Sequence, residues 1–347
     1  MRCLFGGGME SIMKKILIIN TGGTFSSVEN GSGLAPGISG EQITDLLSPE
    51  PDMCRLKIED YCSLDSANIS PDDWRKISQR ISRAAEACDG VVIIHGTDVM
   101  AYTASMLSFM LLHVPIPVIL TGSQLPLFAS MTDAVDNFQS AVQMALTGKK
   151  GVYVVFSRKI MLGCRTSKVR TVSFDAFESI NYPQAGEFNA KGLQLNESVL
   201  PGQEGSFSLC PVYSDKIAVL KVFPGISPDI FSYLYDKGYE GVFIEGFGLG
   251  GVPFMKNNLL REIDRASAKG MPILVGSQCR YEGSDLSVYE TGQRVKACGG
   301  IPVYDMTQEA TVTKLMWCLG QTKDRGEIQR FFQTNFVNEV TLTCKNK

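Results

Sequence analysis

Histidine is scarce in this chain: only His95 and His113 occur among 347 residues. With no His/Cys cluster at zinc-ligand spacing, a metal site is not expected, and a histidine-based proton relay has little to draw on. None of the ten cysteines falls in a Cys-x-x-Cys pair, and Cys88, Cys210 and Cys318 sit in apolar surroundings, which favours buried reduced thiols over a disulfide framework. There is no Lys/Arg block and the net charge is only −3, so neither nucleic acid nor an anionic membrane surface is an implied partner. The longest apolar run, around Ala104 to Leu112, is broken by Ser105 and Ser108 and is too short to span a bilayer. The start, Met1 to Gly8, lacks the apolar core of a secretory signal, so a cytoplasmic location is expected. A Walker-type phosphate loop and a Gly-x-Ser-x-Gly elbow are both missing, which removes support for nucleotide and seryl-hydrolase chemistry.

What is present is an alternation of strand and helix patterns, the mark of a parallel sheet with crossover helices. Length and a 44% hydrophobic composition allow two domains. The expected division is a disordered extension over 1–13, a larger flavodoxin- or Rossmann-like α/β domain over 14–191, a linker over 192–215 and a smaller α/β domain over 216–347. Apolar runs at Ile16–Ile19, Val91–Ile94 and Val118–Leu120 predict buried strands. Ser70-Pro71-Asp72-Asp73 predicts a helix start, with a serine cap, proline in the first turn and acids over the positive dipole end. A second helix is expected over 99–113. Residues 28–40, with Gly31, Gly33, Pro36, Gly37 and Gly40, read as a long flexible loop, either a lid or an ordinary surface excursion.

Three of the predicted strands end in polar loops: Thr21-Gly22-Gly23-Thr24, His95-Gly96-Thr97-Asp98 and Thr121-Gly122-Ser123. Parallel strands put their carboxyl ends on one edge, so these hydroxyls converge on one crevice. Thr24, after two glycines that admit close approach of a ligand, is a candidate nucleophile; taken alone it is better explained as the cap of a strand-to-loop turn. Lys168 is a candidate proton carrier, since a lysine withdrawn from water can hold or relay a proton near neutral pH, against the commoner alternative of a solvated loop cation. Asp98 could orient that amine or bind a substrate amine. Asp65 and Ser66 either cap the turn before Ser70 or grip the charged ends of an amino acid. Gly246-Phe247-Gly248-Leu249-Gly250-Gly251 matches a dinucleotide fingerprint in form, but Pro253 delays the helix and no acid closes the next strand. It reads instead as a loop packed against another chain or domain.

These blocks, together with Thr121 to Pro126, Arg165 to Lys168, Phe174 to Ser179, Pro224 to Ser227 and Met306 to Thr311, resemble the bacterial-type L-asparaginases, particularly the cytoplasmic type I group, from about Lys14 to Asn338. The resemblance implies hydrolysis of the side-chain amide of L-asparagine to aspartate and ammonia, with no metal or organic cofactor. It implies Thr24 as the nucleophile forming a β-acyl enzyme, and Thr97, Asp98 and Lys168 as a second triad that moves protons. Asp65, Ser66 and Asp98 would hold the α-amino and α-carboxylate groups, Ser123 would line the pocket, and the Gly23 and Thr97 amides would face the oxyanion. It also implies a homodimer or homotetramer with sites near subunit boundaries, for which Glu245 and the 246–251 loop are the candidates.

Two positions depart from the family pattern. The tyrosine that many members carry in the loop over the nucleophile has no counterpart in Gly31-Ser32-Gly33-Leu34-Ala35-Pro36, which leaves the base for Thr24 open. Where some cytoplasmic members bind effector asparagine through an arginine, this chain has Glu245, which argues against allosteric activation by substrate. Two rivals remain. A tRNA-dependent amidotransferase component would carry an additional N-terminal domain, for which the stretch before Met13 leaves no room. A non-catalytic amino-acid-binding module would have no need of Thr24, Thr97, Asp98 and Lys168 together.

Overall fold

The computed structural model describes residues 13–31, 33–47, 54–202 and 205–342; the expected extension before Met13 lies outside them. The fold is a two-domain α/β architecture. The larger sheet has eight strands, and five of these are parallel: Cys54–Leu64, Lys14–Gly22, Gly90–Ile94, Pro117–Thr121 and Gly151–Phe156, in that spatial order. Counted along the chain this is the order 2-1-3-4-5 of flavodoxin-like folds, whose topological switch point lies between the first and third strands. Lys159–Leu162, Gly186–Asn189 and Gly192–Leu195 extend the sheet antiparallel, so it is mixed rather than wholly parallel.

Alternate residues of the central strands feed two cores. Ile16, Ile18, Val92 and Ile94 pack with Phe138 and Ala141 of the Ala134–Leu146 helix, whereas Leu17, Ile19, Val91 and Ile93 pack with Ile77, Ile81 and Leu107 on the other face. The Pro71–Ala84 helix starts as its sequence predicts, with Ser70 and Asp73 forming a reciprocal capping box. The second helix is shorter than expected. It runs Met100–Met110, and Leu111–Leu112 instead pairs with Ser208–Leu209, because a local helix preference yields to strand pairing from a distant segment.

The smaller sheet is parallel, Ile217–Lys221, Gly241–Gly246, Ile273–Ser277 and Ile301–Pro302 in sequential order. Its last long helix, Gln308–Gln321, lies between that sheet and Met100–Met110, with Leu315 and Leu319 beside Gly241 and Trp317 stacked on Phe109 at a ring-centroid distance of 6.0 Å. Met100–Met110 is therefore apolar on nearly every side, being enclosed by the large sheet and by this helix. The segment expected as a linker is also more structured than a plain connection: Gly192–Leu195 belongs to the large sheet. The expected loop after Thr24 is an antiparallel hairpin, Ser27–Asn30 with Gly33–Pro36, in which Asn30 pairs with Gly33 beside the turn and Gly37 and Gly40 follow the second strand.

Candidate active site

The site forms at the carboxyl ends of the two strands that flank the switch point. After Lys14–Gly22 the chain turns at Gly23, with φ 77° and ψ −173°, into a short 3-10 turn that begins with Thr24. Only glycine tolerates this backbone, and a Cβ on Gly23 would lie 2.4 Å from Gly96 Cα. A Cβ on Gly96 would lie 2.7 Å from Ser66 Cβ. The Thr24, Asp65-Ser66 and Thr97-Asp98 loops thus meet at van der Waals distance, as the convergence of strand ends predicts. Asn20 braces the first loop: its Oδ1 accepts from Gly22 N–H and Ser26 Oγ, and its Nδ2 donates to Asp60 at 2.8 Å. No sequence signal marks Asp60, because it sits in a strand of alternating polarity without a motif of its own.

Lys168 lies on a short ribbon, Thr166–Lys168 paired with Phe177–Ser179. Its Nζ donates to Thr97 Oγ1 at 2.8 Å and to Asp98 Oδ1 at 2.6 Å. The lysine side chain is only 16% exposed, so it is not the solvated loop cation of the bland alternative. Thr97 is buried, whereas the Asp98 carboxylate is open to solvent. Asp65 caps its turn through Oδ1, which accepts from Ala67 N–H at 2.9 Å. Its Oδ2 and the Thr24 hydroxyl have no hydrogen-bond partner among the described residues.

One expected oxyanion donor is already occupied. The Gly23 N–H donates to the Leu64 carbonyl at 2.9 Å, so it is not available to an oxyanion; the strand Cys54–Leu64, which the sequence pattern does not reveal, takes it. Ser123 is buried and its hydroxyl donates to the Leu125 carbonyl within its own loop. His95 is a fixed neutral group. Burial holds its pKa down at about 4, its Nδ1 lies 2.7 Å from the Gly96 carbonyl, and its Nε2 lies 3.0 Å from Thr103 Oγ1, which accepts from Trp74 Nε1. Those partners require a proton on Nδ1 and a lone pair on Nε2. The ring therefore braces the loop that carries Thr97.

The sequence profile "Asparaginase, N-terminal" matches residues 15–200, and "Glutaminase/Asparaginase C-terminal domain" matches 216–332. The chain belongs to the asparaginase family. It is 38% identical to an L-asparaginase of Thermococcus kodakarensis over 94% of this chain and 99% of that protein. It is 35% identical to a glutamyl-tRNA(Gln) amidotransferase component of the same organism over 95% of this chain and 77% of that protein. The structure of the thermostable T. kodakarensis L-asparaginase superposes with a TM-score of 0.90, covering 95% of this chain and all of that one. Against the asparaginase pattern, Glu245 proves to be enclosed by its own chain, 8% exposed at the end of the Gly241–Gly246 strand, rather than presented at the surface. Burial pushes its pKa up, with the Lys221 and Arg280 charges opposing.

Proposed function

We propose that this asparaginase-family chain hydrolyses the side-chain amide of L-asparagine to L-aspartate and ammonia. The observation that carries the proposal is the Lys168 amine bonded at once to Thr97 Oγ1 and Asp98 Oδ1, beside the loop of Thr24. Thr24 Oγ1 attacks the amide carbon and forms a β-acyl ester as ammonia departs. The Thr24 hydroxyl proton leaves with the amide nitrogen as ammonia, and in the second step the Thr97 hydroxyl, held by the Lys168 amine, positions the water whose proton passes to Thr24 Oγ1 as the ester breaks. The developing oxyanion is faced by the Thr97 and Thr24 N–H groups, neither of which has an acceptor among the described residues. The α-ammonium of the substrate falls to Asp65 and Asp98, each of which uses only Oδ1 within the protein. The higher identity to the L-asparaginase, 38% against 35% to the amidotransferase component, supports free asparagine as the substrate.

The proposal includes assembly as a homodimer or homotetramer with sites near subunit boundaries. A cavity of about 910 Å³ sits at the 246–251 loop, away from the catalytic loops, with Met255 82% and Tyr289 63% exposed on it. Exposed apolar side chains grouped on this loop suit contact with a partner, here a second copy. A cytoplasmic location accords with eight described cysteines that are all unpaired. Ammonia release from L-asparagine and L-glutamine by the wild type, Thr24→Ala and Lys168→Met tests the chemistry. Each variant is expected to lose about a hundredfold or more in kcat. Wild-type protein that binds asparagine without releasing ammonia refutes the hydrolase, and normal turnover by Thr24→Ala refutes the nucleophile.

A further inference from the structure

The loop after the Ile273–Ser277 strand reaches from the smaller domain to the ribbon that carries Lys168. Three consecutive residues make contact there. Arg280 Nη1 donates to Ser167 Oγ and, at 3.4 Å, to the Lys168 carbonyl. The Tyr281 hydroxyl donates to the Glu178 carboxylate, and the Glu282 N–H donates to Asn181 Oδ1 at 2.7 Å. Glu178 faces Ser167 across the ladder, so both strands of the ribbon are gripped. Ser167, itself 2% exposed, passes the contact inward by donating to Glu309 Oε1 at 2.5 Å. Glu309 opens the Gln308–Gln321 helix and is 8% exposed. One buried hydroxyl is therefore held between a guanidinium and a carboxylate, with its proton directed to one and a lone pair to the other. That arrangement selects a single rotamer and fixes the backbone to which Lys168 is attached.

We propose that Arg280 is a positioning residue for the Lys168 amine. With Tyr281 it holds the ribbon at the height from which Nζ reaches both Thr97 and Asp98, and it makes the catalytic arrangement depend on the docking of the smaller domain of the same chain. The inference rests on the role given to Lys168 under the asparaginase reading. Lysine has a long, flexible side chain, so its amine is placed only as well as its backbone is held, and an error near 1 Å at a reacting group costs about a hundredfold in rate. Burial pushes the Glu309 carboxyl pKa up, while the Ser167 hydrogen bond and the Arg280 charge oppose that shift. Arg280 thus supports Ser167 directly and Glu309 through it.

The test compares Arg280→Gln, Arg280→Lys and Tyr281→Phe with the wild type. The readouts are kcat and KM for ammonia release from L-asparagine and amide hydrogen exchange over residues 162–182. Arg280→Gln is expected to lower kcat by about tenfold or more while KM stays within about threefold, because the chemical step and not ground-state binding suffers. Arg280→Lys restores most of that loss. Exchange in 166–168 and 177–179 accelerates in Arg280→Gln and in Tyr281→Phe. An Arg280→Gln enzyme within about twofold of wild-type kcat overturns the inference, as does a loss that Lys fails to rescue and that raises KM in parallel. Wild-type protein that releases no ammonia overturns the proposed function instead, and the exchange data then decide the clamp: unchanged protection in Arg280→Gln refutes it.

Discussion

Gly23→Ala is the sharpest structural test of the loop that carries Thr24. Gly23 combines φ 77° with ψ −173°, a region that side chains with a Cβ occupy at a cost of about 1–3 kcal/mol. The added methyl would meet Gly96 Cα at 2.4 Å and Gly96 N at 2.6 Å, both rigid backbone atoms, and forcing such a contact apart costs about a further 1–3 kcal/mol. Together these place the destabilisation at about 2–6 kcal/mol, unless the two loops separate. Separation relieves strain but moves Thr24 away from Thr97, and a displacement near 1 Å costs about a hundredfold in kcat. Stability and activity therefore fall together or trade against each other, but cannot both survive. Urea unfolding paired with ammonia release measures both. Gly31→Ala is the control: nothing among the described residues lies within 4 Å of its Cβ position, and its change belongs within about 0.5 kcal/mol. A Gly23→Ala protein as stable as that control, with wild-type kcat, would refute the description of the loop contact.

His95 makes stability depend on acid. Its pKa falls from an ordinary 6.5 to about 4 in the fold, so the unfolded chain binds a proton that the folded chain refuses. The stability it contributes is complete above pH 6.5 and is lost as pH falls toward 4, about 3 kcal/mol in all. Between pH 7 and 4, His95→Gln should lose correspondingly less in urea unfolding than the wild type, and parallel losses would sink the assignment of a neutral ring. Lys314 and Glu339 are both fully buried and 2.5 Å apart. Thr334 O takes a second lysine proton at 2.9 Å, and the carboxylate also accepts from the Phe336 and Val337 N–H groups. Lys314→Met strands that carboxylate and should cost about 3–5 kcal/mol, with Lys314→Met/Glu339→Gln recovering part of it. A double variant no better than the single one would show that the charge itself is not what the lysine offsets.

Much of this arrangement is legible in the sequence because its signals are local. Apolar runs such as Ile16–Ile19 and Val91–Ile94 mark strands buried on both faces, and once those strands are parallel the hydroxyl loops must share an edge. Cys54–Leu64 is illegible for the opposite reason. It lies at the edge of the sheet and, past Cys54, has only partly buried and exposed positions, carrying Arg55, Lys57, Glu59 and Asp60. That strand nonetheless supplies the Leu64 carbonyl that occupies Gly23 N–H and the Asp60 carboxylate that holds Asn20. Without knowledge of that strand, Gly23 looks like an oxyanion donor. The support of Lys168 is less visible still, since it comes from far along the chain. Arg165, three positions earlier and fully buried, is held by the Asn338 carbonyl at 2.6 Å and by Asp305 at 3.0 Å. Arg280 and Glu309 hold Ser167 from the other side. No window of residues around 168 contains these partners, so a local pattern can report that a cation is present there but not that it is fixed. The distinction between a solvated lysine and a fixed one thus lies in the packing of 280–342 against 163–181, where substitutions should alter turnover without touching any residue proposed to meet the substrate.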